Sequence, residues 1–151
     1  MKMTKLDEVD REILKLLQED GRMAYKDIAE KIGKSPATVK NRVEKLMSMG
    51  VIKRFVPLLD YKSLGFPVSV SIMIQAKPGK LDELANYLAS KPNVNYVYEI
   101  TGEYDILVVA RFATEESFSD FIRELLDTNL VERTSSSLVV KIHKEDPRIP
   151  I

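Results

Sequence analysis

The hydrophobic period of this chain changes once, at the turn-rich stretch "DYKSLGFP" (60–67). Before it, apolar residues recur every three or four positions. After it, Val68, Val70, Ile72, Ile74 and Ala76 alternate with Ser69, Ser71, Met73, Gln75 and Lys77. A helix-period pattern misplaces its apolar residues if drawn out as a strand, and the reverse is equally true. The chain therefore has to build a helical unit first and a sheet-containing unit second.

Three helices are expected in the first unit. Asp7 can cap one in which Val9, Ile13, Leu16 and Leu17 share a face, and Asp20-Gly21 stops it. A shorter helix follows, with Ile28, Ala29 and Ile32 inward and Gly33 at its end. The third is the most clearly punctuated. Ser35 suits the N-cap, Pro36 the first helical position and Gly50 the exit. Its inward stripe is Val39, Val43, Leu46 and Met47, and Asn41 points away. "VIKRFVPLL" reads as a following strand, one arm of a wing. Three helices with a tight glycine turn before an exposed basic helix make a helix-turn-helix.

The second unit reads as strand, helix, two strands, helix, strand. Leu81, Leu84, Ala85, Leu88 and Ala89 mark its first helix, and Phe118, Phe121, Ile122, Leu125 and Leu126 its second. "VNYVYEI" and "YDILVVARF" are strands joined through "TGE", and "VERTSSSLVVKIH" is the last strand. The order βαββαβ implies an α+β, ferredoxin-like antiparallel sheet with both helices on one face. The bare face would carry Met73, Val97, Leu107 and Val109, which burial against a second copy would cover. The expected domains are 1–54, the helix-turn-helix unit, 55–66, the linker strand and joining element, and 67–151, the ferredoxin-like unit.

Charge separates the two units as well. The 151-residue chain is formally neutral, yet residues 1–60 carry 13 basic against 10 acidic side chains and residues 61–151 the reverse. Within "GKSPATVKNRVEKLMSMGVIKR" (33–54) six cations face the single acid Glu44. Absence of cysteine excludes disulfide and thiolate chemistry, and one histidine, His143, excludes a multi-histidine metal site. No apolar run approaches the ~20 residues that span a bilayer, and no signal peptide opens the chain, so the expected compartment is the cytoplasm.

A solvated helix face is the simplest account of a basic segment; inside a helix-turn-helix, a nucleic-acid face is the stronger one. Thr38, Asn41 and Lys45, with Ala37 beside them, are placed to reach base edges, where Asn pairs with adenine and Lys with guanine. Lys34, Ser35, Lys40, Lys53 and Arg54 suit phosphates, which set register without reading sequence. Arg42 borders the core stripe, so an ion pair within the chain competes with DNA contact there. In the second unit "EITGEYD" gathers Thr101, Gly102 and Asp105 in one loop. Such a loop can offer donors to a carboxylate and an acid to an ammonium group, the two needs of an α-amino acid. Tyr98, Glu99 and Tyr104 flank it.

With these pieces in order, the sequence resembles the Lrp/AsnC, or feast/famine, family of transcription regulators. The likeness rests on "LDEVDREILKLLQEDGR", "IAEKIGKSPATVKNRVEKLMSMGVIKRF", "LGF", "VYEITGEYDILVVARF" and "VERTSSSLVVKIHKE". It implies a DNA-reading domain and a domain that joins homodimers into tetramers or octamers, with an amino-acid effector held between dimers. That effector would meet the same loop and a neighbour's last strand, here Ser135, Ser136 and Ser137. The chain departs from the family pattern at Ala24, where a capping Ser or Thr is usual. It departs again at Lys34, usually apolar, and at "TNL" in place of a "PG" before the last strand.

Two other functions stand beside a sequence-specific regulator. One is a DNA organiser that assembles without an effector. The other is an enzyme like the siroheme decarboxylases, which share a two-part fold but depend on histidines this chain lacks. No cofactor, metal cluster or nucleophile–base pair is expected.

Overall fold

The computed structural model describes residues 5–151, so the first four residues of the expected DNA-binding domain lie outside it. It divides into two compact units. One holds the residues up to Leu58 together with Glu145–Ile151, the other Leu59–Lys144.

In the helical unit, Asp7 and Asp10 form a reciprocal capping box at the start of α1 (Glu8–Glu19). The Asp7 carboxylate accepts from the Asp10 amide at 2.9 Å, and the Asp10 carboxylate from the Asp7 amide at 3.2 Å. Two otherwise orphaned donors are thereby satisfied. Ile13 of α1 meets Ile28 and Ala29 of α2 (Tyr25–Ile32) and Val39 and Val43 of α3 (Pro36–Ser48) in one buried cluster. Each buried Ile or Val side chain contributes about 1.5–3 kcal/mol by leaving water. Met47, assigned to that stripe from its spacing, is 44% exposed, whereas Leu46 is buried. Residues Glu145–Ile151 join this unit, where the Gln18 side chain both donates to and accepts from the backbone of Ile149 at 2.9 Å.

The strand expected at "VIKRFVPLL" does not form. Residues 53–60 run without strand or helix, and Phe55, Val56, Leu58 and Leu59 are exposed. A strand needs a neighbour to complete its ladder; none pairs with this segment among the described residues, and Pro57 brings no N–H. The wing arm and the linker strand of 55–66 are thus both corrected to chain without regular structure followed by a turn at 61–65.

The second unit is a four-stranded antiparallel sheet whose strands β1 (Val68–Ala76), β2 (Val94–Glu99), β3 (Ile106–Phe112) and β4 (Val131–Leu138) lie in the order β2-β3-β1-β4. Helices α4 (Leu81–Ala89) and α5 (Glu115–Asp127) follow β1 and β3. Val70, Ile72 and Ile74 of β1 and Ile106, Val108 and Ala110 of β3 bury one sheet face against Leu84 and Leu88 of α4 and Phe121 and Leu125 of α5. Thr114 caps α5 through Ser117.

The other face differs from expectation at one strand. Simple alternation from Val94 puts Val97 outside, but the pairing shifts between Val94 and Tyr96. The extra residue of such a bulge reverses which face the following side chains take. Val97 therefore packs into the core beside Val108, and Tyr96 and Tyr98 come out beside Val109 and Leu107. Their rings stack at 5.8 Å. The last strand also ends early. Past Leu138 the ladder adds the bond from the Val139 amide to the Ser69 carbonyl, and residues 139–142 have no strand structure.

Candidate nucleic-acid interface and effector loop

Gly33 makes the turn into α3. Its left-handed backbone (φ 67°, ψ 39°) is reached at little cost only without a Cβ, and it lets the Lys34 amide return to the Ala29 carbonyl at 2.9 Å. Ser35 then caps α3, accepting from the Thr38 amide at 3.1 Å and sharing a 2.8 Å hydroxyl contact with Thr38. Val39, Val43 and Leu46 are buried, which turns Ala37, Asn41 and Lys45 outward. Thr38 is half-buried, and its hydroxyl is already engaged by the cap.

The cations divide by what holds them. Arg42 donates to Asp7 at 2.5 Å and Asp10 at 3.1 Å, so it ties α3 to the start of α1. Of the two roles open to Arg42, the structure shows the internal ion pair. The Arg42 hydrogen bond, with help from the Asp10 amide, lowers the Asp7 pKa from 3.8 to about 2. The same contact, to Asp7 first and Asp10 second, raises the pKa of Arg42. Lys40 lies 3.9 Å from Glu44, both well exposed, a contact of little energetic weight. Lys34, Lys45, Lys53 and Arg54 are exposed and make no ion pair among the described residues. Their charge stays available to a polyanion. A cavity of about 340 Å³ beside Tyr25 and Phe55 includes none of these residues.

In the sheet unit, the loop between β2 and β3 is docked at its far end. The Asp105 amide donates to the Ile74 carbonyl at 3.0 Å, and the Asp105 carbonyl accepts from the Ile100 amide at 2.8 Å. One Asp105 carboxylate oxygen accepts from the Ala76 amide at 2.8 Å, which leaves the other for a further donor. Thr101 and Gly102 are exposed, and Gly102 has φ 115°, a region closed to most other residues. The amides from Thr101 to Tyr104 have no acceptor within the described chain. Tyr98 and Glu99 are exposed on β2, and Tyr104 is half-buried.

The three serines of β4 do not act as one set. Ser135 and Ser137 lie opposite Met73 and Ser71 on the open face, but Ser136 lies opposite Ile72, whose side chain enters the core. Successive strand residues alternate faces, so Ser136 belongs with the helix-covered side. Sequence reasoning missed Arg133, two residues before Ser135. It pairs with Glu103 of the loop, donates to Gln75 at 3.1 Å and sits 4.9 Å over the Tyr104 ring. Its alternation with Ser135 and Ser137 was the available signal.

Comparison with known proteins bears on both sites. Residues 6–53 match a family profile described as winged helix-turn-helix DNA-binding, and residues 69–149 one described as Lrp/AsnC ligand binding domain. The HTH-type transcriptional regulator FL11 of Pyrococcus horikoshii is 37% identical, over 97% of this chain and 97% of its own. An HTH-type transcriptional regulator of Pyrococcus furiosus is 40% identical over 95% and 97%. Among solved structures, the complex of a transcriptional regulator from Neisseria meningitidis with L-Met superposes with a TM-score of 0.89 at 28% identity, covering 97% of each chain. E. coli AsnC superposes with a TM-score of 0.85 at 27% identity, covering 94% of this chain and 97% of its own.

Proposed function

Because the chain belongs to the Lrp/AsnC family of transcriptional regulators, with a DNA-binding and a ligand-binding domain, we propose that it binds specific duplex sites as a homodimer and answers to an amino acid. The observation that carries the DNA reading is the outward face of α3. There Asn41 and Lys45 project from a capped helix, and Lys34, Lys45, Lys53 and Arg54 make no ion pair among the described residues. In this reading Asn41 and Lys45, with Ala37 and Thr38, meet base edges, and Lys34, Ser35, Lys40, Lys53 and Arg54 meet phosphates. Two copies joined through the face of Met73, Tyr96, Tyr98, Leu107 and Val109 would present two such helices. The relatives' regulatory role favours this over catalysis.

The effector reading rests on the loop of Thr101, Gly102 and Asp105. Its free amides suit a carboxylate, and the remaining Asp105 oxygen suits an ammonium. The L-Met found with the Neisseria regulator supports an amino acid as the chemical class. Tyr98, Glu99 and Tyr104 border this site, with Ser135 and Ser137 from a neighbouring dimer. A thermal-shift screen of the natural amino acids tests it, since a ligand that binds only the folded state raises the melting temperature. If none does, the better reading is a DNA organiser that assembles without a switch.

A further inference from the structure

We propose that Arg133 is a carboxylate-binding residue of the effector loop and that Glu103 is its built-in substitute ligand, displaced when the effector's carboxylate arrives. The inference deepens the effector reading above and rests on it.

Arg133 stands on β4, an edge strand, opposite Gln75 of β1. Its guanidinium reaches back across β1 to the loop and is held on three sides. Gln75 accepts from Nε, the Tyr104 ring lies beneath, and Glu103 takes a terminal nitrogen. Gln75 and Tyr104 fix the plane of the fork, and a planar fork is what recognises a carboxylate through two hydrogen bonds. Glu103 is itself a carboxylate, so its place on the fork marks where such a group binds. Its side chain is 70% exposed and that of Arg133 46%, and exposed pairs are weakly held. Displacement is therefore cheap.

The surroundings favour a zwitterion over a simple anion. Within residues 99–105 the charged groups are Glu99, Glu103 and Asp105, all acidic. Arg133 and Asp105 both make hydrogen bonds to β1, at the consecutive residues Gln75 and Ala76. A ligand bearing neighbouring carboxylate and ammonium groups can address both. Glu103, once released, takes its charge away from the incoming carboxylate and lifts the loop contact with β4. Occupancy of the site is thereby coupled to the loop.

The test uses the full-length protein with ¹⁵N-labelled arginine, the Arg133 Nε–H signal being assigned by its loss in R133K. Acetate serves as the carboxylate probe. A free carboxylate must compete with a tethered one in the wild type, so E103Q should move the acetate midpoint at Arg133 several-fold lower. If the E103Q signal ignores acetate, or follows it with the wild-type midpoint, the proposal is overturned. Thermal shifts with the natural amino acids and their α-carboxamides separate the two claims. An amino acid that stabilises R133K as well as wild type would overturn the Arg133 role and leave the effector reading standing. Acetate binding at Arg133 with the expected Glu103 dependence, but no thermal shift from any amino acid, would support the receptor and sink the amino-acid reading.

Discussion

Asn41 and Lys53 lie twelve positions apart, and they should fail differently. Asn41→Ala or Lys45→Ala should relax sequence preference, by about 1–3 kcal/mol at a contacted base pair. Lys53→Ala should weaken all sequences alike and make the salt dependence shallower by roughly one unit. Anisotropy titrations against matched and mismatched duplexes across a salt series check both. Arg42 carries a different expectation. Asp7 is held at about 2, below its ordinary 3.8, by the Arg42 hydrogen bond and then the Asp10 amide. A depressed carboxylate stabilises the fold fully above the unfolded value and loses that contribution as pH falls from about 4 through about 2. Acid melts should show this loss in wild type and lack it in Arg42→Leu, and salt should shrink it. That pairing was hidden in the sequence because Asp7 and Asp10 stand more than thirty residues from Arg42. The cap formed by Ser35 and Thr38 was legible because its partners are three residues apart.

Among the elements, α3 and the β2–β3 loop show what local chemistry reveals. Ser35, Pro36 and Gly33 announce α3 in the sequence, and the structure places its ends as those residues require. β2 was not legible in the same way. Whether Val97 or Tyr98 faces the core depends on one bulge near Asn95, and no residue type there signals it. The stretch after α3 was misread for a related reason, since strand propensity in "VIKRFVPLL" does not supply a neighbouring strand. For the loop, Asp105→Asn is more informative than Asp105→Ala. It keeps an acceptor for the Ala76 amide and removes only the charge. The variant should fold like wild type and lose the response of DNA affinity to a saturating amino acid. Gly102→Leu should cost on the order of 1 kcal/mol through its φ of 115°, besides obstructing the loop. Chemical denaturation with and without amino acid separates the two effects.

At the scale of the molecule, the open sheet face is the proposed assembly surface and α3 the proposed DNA-reading element. Tyr96 and Tyr98 are each nearly half exposed, beside Met73, Leu107 and Val109. A fragment of residues 61–151 should sediment as a dimer at micromolar concentration, and a stable monomer would remove the reason for a two-fold regulator. The central claim is that the face around Asn41 and Lys45 reads duplex DNA in pairs. Selection from a random duplex library followed by hydroxyl-radical footprinting tests it most directly. The account predicts an enriched, partly palindromic site, protected on one side of the duplex in blocks separated by about 10 bp or a multiple of it. No enrichment, and no protection even at low salt, would contradict it.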